Sequence, residues 1–326
     1  MNASDIVNEE ILSVRNLTVK YSSRETGVCH AVNDVSFDVK RGETVGLVGE
    51  TGAGKTTIAL SIMRLLQTPP GRVTAGEILL NGEDILKMPS VRLRSIRGDK
   101  ISMIFQDPMT SLNPIDRVGD QISEMVRLHL NMNRAQAAAK AAEMLETVGI
   151  PSTRFNDYPH QFSGGMKQRV VIAIALACKP ELLLADEPTT ALDVTIQAQV
   201  LNMMKEHKNE LGTSMVLITH DLGVVAETCD RVAVVYAGEI VEIGAADVVF
   251  EKKSHPYTAG LFNSLPDITG ERKRLVPIVG LMPDPTALPK GCKFSPRCSL
   301  CDDACTHEPI ELRQESGTHF VRCNKG

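Results

Sequence analysis

The chain has 326 residues, of which 43% are hydrophobic and 23% are charged, and its formal net charge is −5. This length suggests about two structural units, and the apolar fraction excludes a disordered chain. The longest apolar run, Val170 to Cys178, is much shorter than the roughly 20 residues of a membrane-spanning helix, so no crossing of a membrane is expected. The acidic N-terminus has no apolar segment of the kind that signal peptides contain, which argues against export. The negative charge argues against a nucleic-acid partner.

The first half of the chain is predicted to change from strands to helices. Residues 11–48 alternate apolar and polar side chains, which is typical of strands in a half-buried antiparallel ribbon. Within them, residues 44–48 form a short apolar strand that leads into a glycine-rich turn, and residues 57–66 have helical spacing. Residues 120–149 are rich in Ala, Met, Leu, Glu and Lys, which favours helices, and Gly149 stands where a helix commonly ends.

The second half is predicted to contain a parallel sheet followed by a different kind of segment. Short apolar strands at 182–185, 215–218 and 232–235 alternate with helical stretches, as in an α/β fold. After Phe250, prolines recur and most of the cysteines follow. We therefore place a domain boundary near residue 250.

A phosphate-binding loop is the most specific motif. Residues 49–57 match the pattern GxxxxGK[ST], with a strand before them and a helix after them. Glycines allow the backbone N–H groups to surround phosphates, Lys55 would neutralise the β- and γ-phosphates, and the Thr56 hydroxyl would bind Mg²⁺. The nucleotide-binding residues of this loop are Gly49, Glu50, Thr51, Gly52, Ala53, Gly54, Lys55, Thr56 and Thr57.

Two further motifs point to an ATPase. A buried strand ends in Asp186 and Glu187, which would hold Mg²⁺ and polarise the attacking water; a solvated acidic turn is the alternative. Upstream, a helix start at residues 163–166 offers backbone N–H groups to an anion, although Ser163 could also be a plain N-cap. No NKxD-type guanine-reading motif occurs, so a GTPase is not indicated.

In this order, the motifs resemble those of the ATP-binding subunit of an ABC transporter. The resemblance covers about residues 11–250 and implies an α/β P-loop NTPase fold. It further implies a RecA-like parallel-sheet core, an antiparallel β subdomain and an inserted α-helical subdomain at about 107–180. The nucleotide-binding domain would then occupy residues 1–250, and a small cysteine-rich C-terminal extension would occupy residues 251–326.

The resemblance assigns roles to single residues. Tyr21 would stack on adenine, Gln106 would reach Mg²⁺ and the attacking water, and His220 would contact the γ-phosphate. The D-loop aspartate corresponds to Asp193. The residues implied in catalysis are Glu187, His220 and Gln106, and those implied in Mg²⁺ binding are Thr56, Gln106 and Asp186.

One chain would hold only half of each ATP site. The resemblance implies that the signature turn of one subunit closes on the ATP that another subunit binds, so that a dimer encloses two ATP molecules. The residues of this turn are Ser163, Gly164, Gly165 and Met166, in a sequence FSGGM where LSGGQ is more common.

Three segments resemble the dipeptide and oligopeptide importer branch of that family: residues 106–114, 255–258 and 291–298. The resemblance implies ATP hydrolysis coupled to peptide import, at the cytoplasmic face of the membrane. The implied partners are a second ATP-binding subunit, commonly a paralogue, two permease subunits and an extracytoplasmic peptide-binding protein. Nickel or another small solute as the cargo, and an ABC ATPase without a transport function, are the alternatives.

The C-terminal cysteines predict a metal site. Thiolates from Cys292, Cys298, Cys305 and Cys323 would suit an iron–sulfur cluster or a tetrahedral zinc ion, with Cys301 as an additional thiol. The spacing matches neither a zinc ribbon nor the usual ferredoxin run. The family resemblance implies a [4Fe–4S] cluster, with zinc and free thiols as alternatives. A metal would cross-link a proline-rich tail that has few large apolar residues.

Overall fold

The computed structural model describes residues 10–23, 27–189, 194–264 and 277–325. Contacts divide the chain into two compact units. Unit 1 lies within Met1–Leu12, Val39–Glu43 and Asn81–Leu217, and unit 2 within Ser13–Asp38, Thr44–Leu80 and Ile218–Gly326. No helix in these described ranges has the length and apolar character that crossing a bilayer requires.

The strands and helices are numbered in chain order. The strands are β1 (Glu10–Ser23), β2 (Gly27–Lys40), β3 (Thr44–Val48), β4 (Gly71–Leu80), β5 (Glu83–Asp84), β6 (Ile101–Ile104), β7 (Leu182–Asp186), β8 (Ser214–Thr219), β9 (Arg231–Tyr236), β10 (Glu239–Ala245), β11 (Arg313–Ser316) and β12 (His319–Val321). The helices are α1 (Lys55–Ile62), α2 (Ser90–Ile96), α3 (Pro108–Ser111), α4 (Val118–Leu130), α5 (Arg134–Thr147), α6 (Gly164–Leu176), α7 (Val194–Leu211), α8 (Leu222–Thr228), α9 (Ala246–Lys252), α10 (Pro256–Asn263) and α11 (Ala304–His307).

Unit 2 contains strands in the order β11-β12-β10-β9-β3. β3 runs parallel to β9, with Val45 opposite Arg231 and Val48 opposite Val234. All five residues of β3 are buried, which is expected for a strand covered on both faces. β12 pairs antiparallel with β10. The part of the chain after residue 250, called the C-terminal segment below, therefore adds strands to the sheet that carries the phosphate loop. The division into domains at residue 250 stays a prediction.

The long strands β1 and β2 are neighbours in a second sheet, and β1 is also the neighbour of β4. This pairing confirms the strands predicted from alternation within residues 11–48. Asn16 ties the two strands together, because its backbone N–H donates to Ser36 Oγ at 2.8 Å and its side chain to Asp34 Oδ1 at 2.8 Å.

Helix α1 differs from the helix predicted over residues 57–66. It begins at Lys55 and ends at Ile62. Arg64 adopts a left-handed φ of 52°, and the Leu65 N–H donates to the Leu60 carbonyl at 2.7 Å. This is the hydrogen-bond pattern that closes a helix C-terminus, so the apolar spacing beyond Ile62 does not extend the helix.

Unit 1 combines parallel strands with a group of helices. β6 and β7 pair in parallel, with Ile101 opposite Leu182. α4 packs on both α5 and α6. The helical prediction for residues 120–149 is confirmed as two helices, because Asn131 ends α4 in the left-handed region and Asn133 with Gln136 forms a capping box at the start of α5. Gly149, with φ of 71°, follows the end of α5 as predicted.

A close contact in unit 1 gives a test of the packing. A Cβ atom added at Gly119 in α4 would lie 2.3 Å from ring carbons of Phe155. We expect Gly119→Ala to lower the free energy of unfolding by about 1–3 kcal/mol, because overpacking outweighs the better helix propensity of alanine. Denaturant unfolding measures this change. Glu124→Ala, at an exposed position of the same helix, should change stability by less than about 0.5 kcal/mol. An equal effect of both substitutions would contradict the packing.

Candidate nucleotide-binding site

The phosphate loop of unit 2, residues 49–57, leads from β3 into α1. At two of its positions the backbone conformation and the close neighbours leave room only for glycine. Gly49 has a φ of 151°, and a Cβ atom there would lie 2.1 Å from the carbonyl oxygen of Val235. Gly54 has a φ of 106°, and its Cβ atom would lie 2.5 Å from the carbonyl oxygen of Ala31. Both glycines are therefore required by conformation and by close approach of a neighbouring strand.

Lys55 is fixed inside this loop. Its Nζ donates to the carbonyl oxygens of Gly49 at 2.7 Å and Glu50 at 3.0 Å, and the residue is only 6% exposed. The N-cap residue of α1, Gly54, brings no side chain to the N–H groups of the first helical turn. A buried ammonium beside a helix N-terminus is an arrangement that binds anions such as phosphates.

The remaining loop residues and the predicted adenine partner are also placed in unit 2. Thr51, Gly52 and Thr56 are exposed, and Ala53 is buried. The Tyr21 hydroxyl lies 3.5 Å from Thr57 Oγ1, at the start of α1. The structure therefore brings Tyr21 next to the loop, as its predicted role requires.

The C-terminal segment contacts the loop, which the sequence motifs did not predict. The guanidinium of Arg297 forms two hydrogen bonds to the Glu50 carboxylate, at 2.9 and 3.1 Å. The backbone N–H of Glu50 donates to Tyr257 Oη at 2.8 Å. Tyr257 and Arg297 both lie in segments that the sequence marked as typical of the peptide-importer branch, but no sequence signal indicated that these segments reach the loop.

Aromatic rings surround this contact. Tyr236, Tyr257 and Phe294 pack on one another with centroid separations between 4.5 and 5.4 Å. Burial raises the pKa of Tyr257 well above its ordinary value. Burial also opposes the charge of Arg297, but hydrogen bonds to Glu50 and Tyr236 raise the pKa of the guanidinium above its ordinary value. Tyr257 is therefore neutral and Arg297 charged at any physiological pH.

In unit 1, the parallel pairing of β6 and β7 brings two predicted residues together. Ile104 at the end of β6 is opposite Ala185 in β7, and the Gln106 side chain donates to Glu187 Oε2 at 2.8 Å. Glu187 has a left-handed φ of 47°. This conformation is uncommon for residues other than glycine, and where it occurs it is often at a functional site. Asp186, at the end of β7, is only 2% exposed.

The signature turn, residues 163–166, begins α6 in unit 1. Ser163 is the N-cap residue, and its side chain accepts a hydrogen bond from the Met166 N–H at 3.3 Å. Ser163 and Gly164 are exposed, and a Cβ atom added at Gly164 would have no neighbour within 4 Å among the described residues. The structure therefore confirms the N-cap, with Ser163 and Gly164 exposed.

Two predicted residues remain, His220 and Asp193, and the structure describes only the first of them. His220 is exposed directly after β8, and Asp221 caps α8 by accepting from the N–H groups of Gly223 and Val224 at 2.9 and 3.2 Å. Asp193 of the predicted D-loop lies outside the residues that the structure describes.

The cysteines of the C-terminal segment interact with one another. The Cys292 N–H donates to the Cys305 carbonyl at 2.8 Å. Burial, together with the nearby thiols of Cys323 and Cys298, raises the pKa of the Cys292 thiol to about 11. Within the described part of the chain, no group of three or more His, Cys, Asp or Glu side chains is arranged so that it could hold a metal ion.

Comparisons with known proteins agree on one class of protein. The family model described as "ABC transporter" matches residues 32–190, and the model described as "Oligopeptide/dipeptide transporter, C-terminal region" matches residues 241–305. An ATP-binding cassette solved as a dimer in a post-hydrolysis state with ADP and Pi is similar with a TM-score of 0.66 and 29% identity, covering 72% of this chain and 98% of that one. The fold is that of an ABC ATPase.

Curated relatives define the branch. The oligopeptide transport ATP-binding protein AppD of Bacillus subtilis is 49% identical over 96% of this chain and 96% of its own length. The dipeptide transport ATP-binding protein DppD of the same organism is 48% identical over 97% and 94%, and the oligopeptide transport ATP-binding protein OppD of Escherichia coli is 48% identical over 92% and 89%. The chain belongs to the family of ATP-binding subunits of peptide ABC importers, which confirms the resemblance in the sequence.

The buried lysine gives a direct test of the loop. We expect Lys55→Ala to weaken Mg-ATP binding at least about tenfold, because the phosphates lose the cation that the loop carbonyls orient. Equilibrium binding of ATP to the purified chain measures this, with Lys290→Ala, an exposed lysine of the same unit, as the control. If both variants bound ATP as tightly as the wild type, the assignment of the loop would be wrong.

Proposed function

We propose that this ATPase binds Mg-ATP on the phosphate loop and drives peptide import through separate permease subunits. The observation that carries the proposal is the Lys55 ammonium, buried and hydrogen-bonded to the carbonyls of Gly49 and Glu50 at the start of α1. The loop N–H groups hold the phosphates, and Tyr21 stacks on adenine.

The residues proposed for Mg²⁺ fit a hard cation, since they offer oxygen ligands. The Thr56 hydroxyl is exposed at the start of α1, and Asp186 supplies a carboxylate at the end of a strand. Gln106 is proposed as a third ligand through its amide oxygen. When bound, Mg²⁺ withdraws negative charge from the β- and γ-phosphate oxygens.

Hydrolysis is proposed to follow the general scheme of phosphoryl transfer. Glu187 accepts a proton from water as the water oxygen bonds to the γ-phosphorus, and the bond from the γ-phosphorus to the bridging oxygen breaks with its electrons going to ADP. The hydrogen bond from Gln106 to Glu187 orients the carboxylate that does this. His220 contacts the γ-phosphate in this scheme.

A dimer is proposed to complete each site. The turn formed by residues 163–166 would supply its N–H groups and helix dipole to the γ-phosphate held by a second ATP-binding subunit. The exposure of Ser163 and the open space around a Cβ position at Gly164 support this. Asp193 is proposed as the D-loop residue of the same interface.

The subdivision of the fold is part of the proposal. We assign a RecA-like core with an antiparallel β subdomain and a helical subdomain at about 107–180, which includes α4, α5 and α6. Residues 1–250 form the nucleotide-binding domain, and residues 251–326 form the extension. The match of residues 241–305 to a family model for a C-terminal region supports that extension.

The partners follow from the transport role. The proposed assembly contains a second, paralogous ATP-binding subunit, two permease subunits and an extracytoplasmic peptide-binding protein, and this chain lies at the cytoplasmic face of the membrane. Relatives named for oligopeptide and dipeptide transport favour peptides over nickel as the cargo. Uptake of labelled di- and oligopeptides by vesicles with the assembled transporter tests this, and ATP-dependent uptake of nickel without peptide uptake would contradict it.

A [4Fe–4S] cluster is proposed for the C-terminal cysteines. Burial raises the pKa of Cys292 and of Cys298, and neighbouring thiols contribute to both shifts. Four cysteine thiolates are the usual ligand set of such a cluster, and they are also a ligand set of structural zinc. The proposed ligands are Cys292, Cys298, Cys305 and Cys323.

Glu187 gives a test of the catalytic scheme. We expect Glu187→Gln to keep Mg-ATP binding and to lower turnover of the assembled transporter at least about a hundredfold, because the general base is lost. Turnover is measured by phosphate release, and Glu124→Gln is the exposed control in unit 1. Normal turnover of Glu187→Gln would exclude this residue as the base.

The cluster has its own test. The anaerobically purified chain should contain about four iron and four sulfide per molecule, and Cys292→Ser or Cys323→Ser should remove most of both. Cys301→Ser is the matched control in the same segment and should retain them. Wild-type protein with zinc only, or with no metal, would exclude the cluster.

A further inference from the structure

An ion pair joins the C-terminal segment to the phosphate loop of the same unit. Arg297 ends a short 3-10 turn, Ser295–Arg297, and its guanidinium presents two N–H groups to both carboxylate oxygens of Glu50 at 2.9 and 3.1 Å. The Arg297 side chain is only 5% exposed and that of Glu50 is 30% exposed. A two-pronged pair with this burial is among the stronger charge contacts in proteins.

The guanidinium cannot turn away from Glu50 without losing other contacts. Its Nε donates to the Val279 carbonyl at 3.1 Å, and a second donor reaches Tyr236 Oη at 3.3 Å. The rings of Tyr236 and Phe294 lie 5.8 and 5.9 Å from its central carbon. The C-terminal segment therefore holds Arg297 in one orientation, facing the loop.

Three groups of Glu50 make hydrogen bonds that position this residue within the phosphate loop. Its carboxylate pairs with Arg297, its N–H donates to Tyr257 Oη at 2.8 Å, and its carbonyl accepts from Lys55 at 3.0 Å. The residue that orients the phosphate-binding lysine is thus itself oriented by the C-terminal segment.

Because Glu50 carries a negative charge, its contact with Arg297 affects how strongly the loop attracts a nucleotide. A carboxylate in a phosphate loop repels a triphosphate, and the repulsion is weakened little by salt where the site is partly buried. Arg297 supplies an equal and opposite charge directly on that carboxylate. Without it, the loop would bind ATP against a negative charge of its own.

We propose that Arg297 is a positioning residue for nucleotide binding: through Glu50 it cancels a negative charge in the phosphate loop and fixes the carbonyl that holds Lys55. This proposal rests on the proposed function of the loop. It assigns to the C-terminal segment a direct role in the affinity for ATP.

A double-mutant cycle on the full chain tests the proposal. Arg297→Met should weaken Mg-ATP binding about tenfold, and it should weaken ADP binding less, because the repulsion grows with the charge of the ligand. Adding Glu50→Gln to Arg297→Met should recover most of the lost affinity, since no charge then needs cancelling. Arg297→Lys, which keeps the charge but loses the paired hydrogen bonds, should bind Mg-ATP more weakly than the wild type and more tightly than Arg297→Met. Isothermal titration calorimetry with Mg-ATP and Mg-ADP measures the four corners of the cycle, which are the wild type, Arg297→Met, Glu50→Gln and the double variant.

The outcomes separate this proposal from the proposed function. Wild-type protein that did not bind Mg-ATP would overturn both. If the wild type binds, an Arg297→Met affinity equal to it, an equal loss for ADP and ATP, or a double variant as weak as Arg297→Met would overturn the role of Arg297 alone. Thermal unfolding checks that each variant is folded. If Arg297→Met does not fold, Arg297→Gln, which is uncharged but can still donate hydrogen bonds, replaces it in the same cycle.

Discussion

A triphosphate concentrates about four negative charges in a small volume, and a protein can hold it in water only with donors that are already in place before it arrives. In this chain the positions of these hydrogen-bond donors depend on how closely the loop after β3 approaches the neighbouring backbone. Gly49 and Gly54 each stand where a Cβ atom would collide with a carbonyl oxygen, at 2.1 and 2.5 Å. That close approach fixes the backbone that presents Lys55 and the first turn of α1. The proposed chemistry and assembly both require this geometry.

The C-terminal segment belongs to the same physical unit as the loop. β12 pairs with β10, and Arg297 and Tyr257 hold Glu50 from the side chain and from the backbone. A proline-rich segment with few large apolar residues is an unexpected place for a buried arginine. The aromatic rings of Tyr236, Tyr257 and Phe294 supply the packing that makes this burial possible. The extension thus has a structural reason to accompany this ATPase that does not depend on its cysteines.

Local motifs could be predicted from the sequence because their chemistry lies in consecutive residues. The phosphate loop, the N-cap at Ser163 and the strand ending in Asp186 were each visible as a short pattern, and the family relationship followed from their order. Helix ends were harder, because the stop of α1 depends on the left-handed Arg64 rather than on apolar spacing. The contact between Arg297 and Glu50 could not be predicted, since the two residues are 247 positions apart in the chain and no local pattern links them.

The central claim is that a triphosphate on this loop is closed by a serine-glycine turn from another subunit. Electron cryomicroscopy of the assembled transporter, carrying Glu187→Gln and saturated with Mg-ATP, tests it most directly. The account predicts density for ATP on residues 49–57, with Lys55 at its β- and γ-phosphates and the signature turn of the second ATP-binding subunit facing the γ-phosphate. ATP bound with that turn directed into solvent, or a loop without nucleotide, would contradict it.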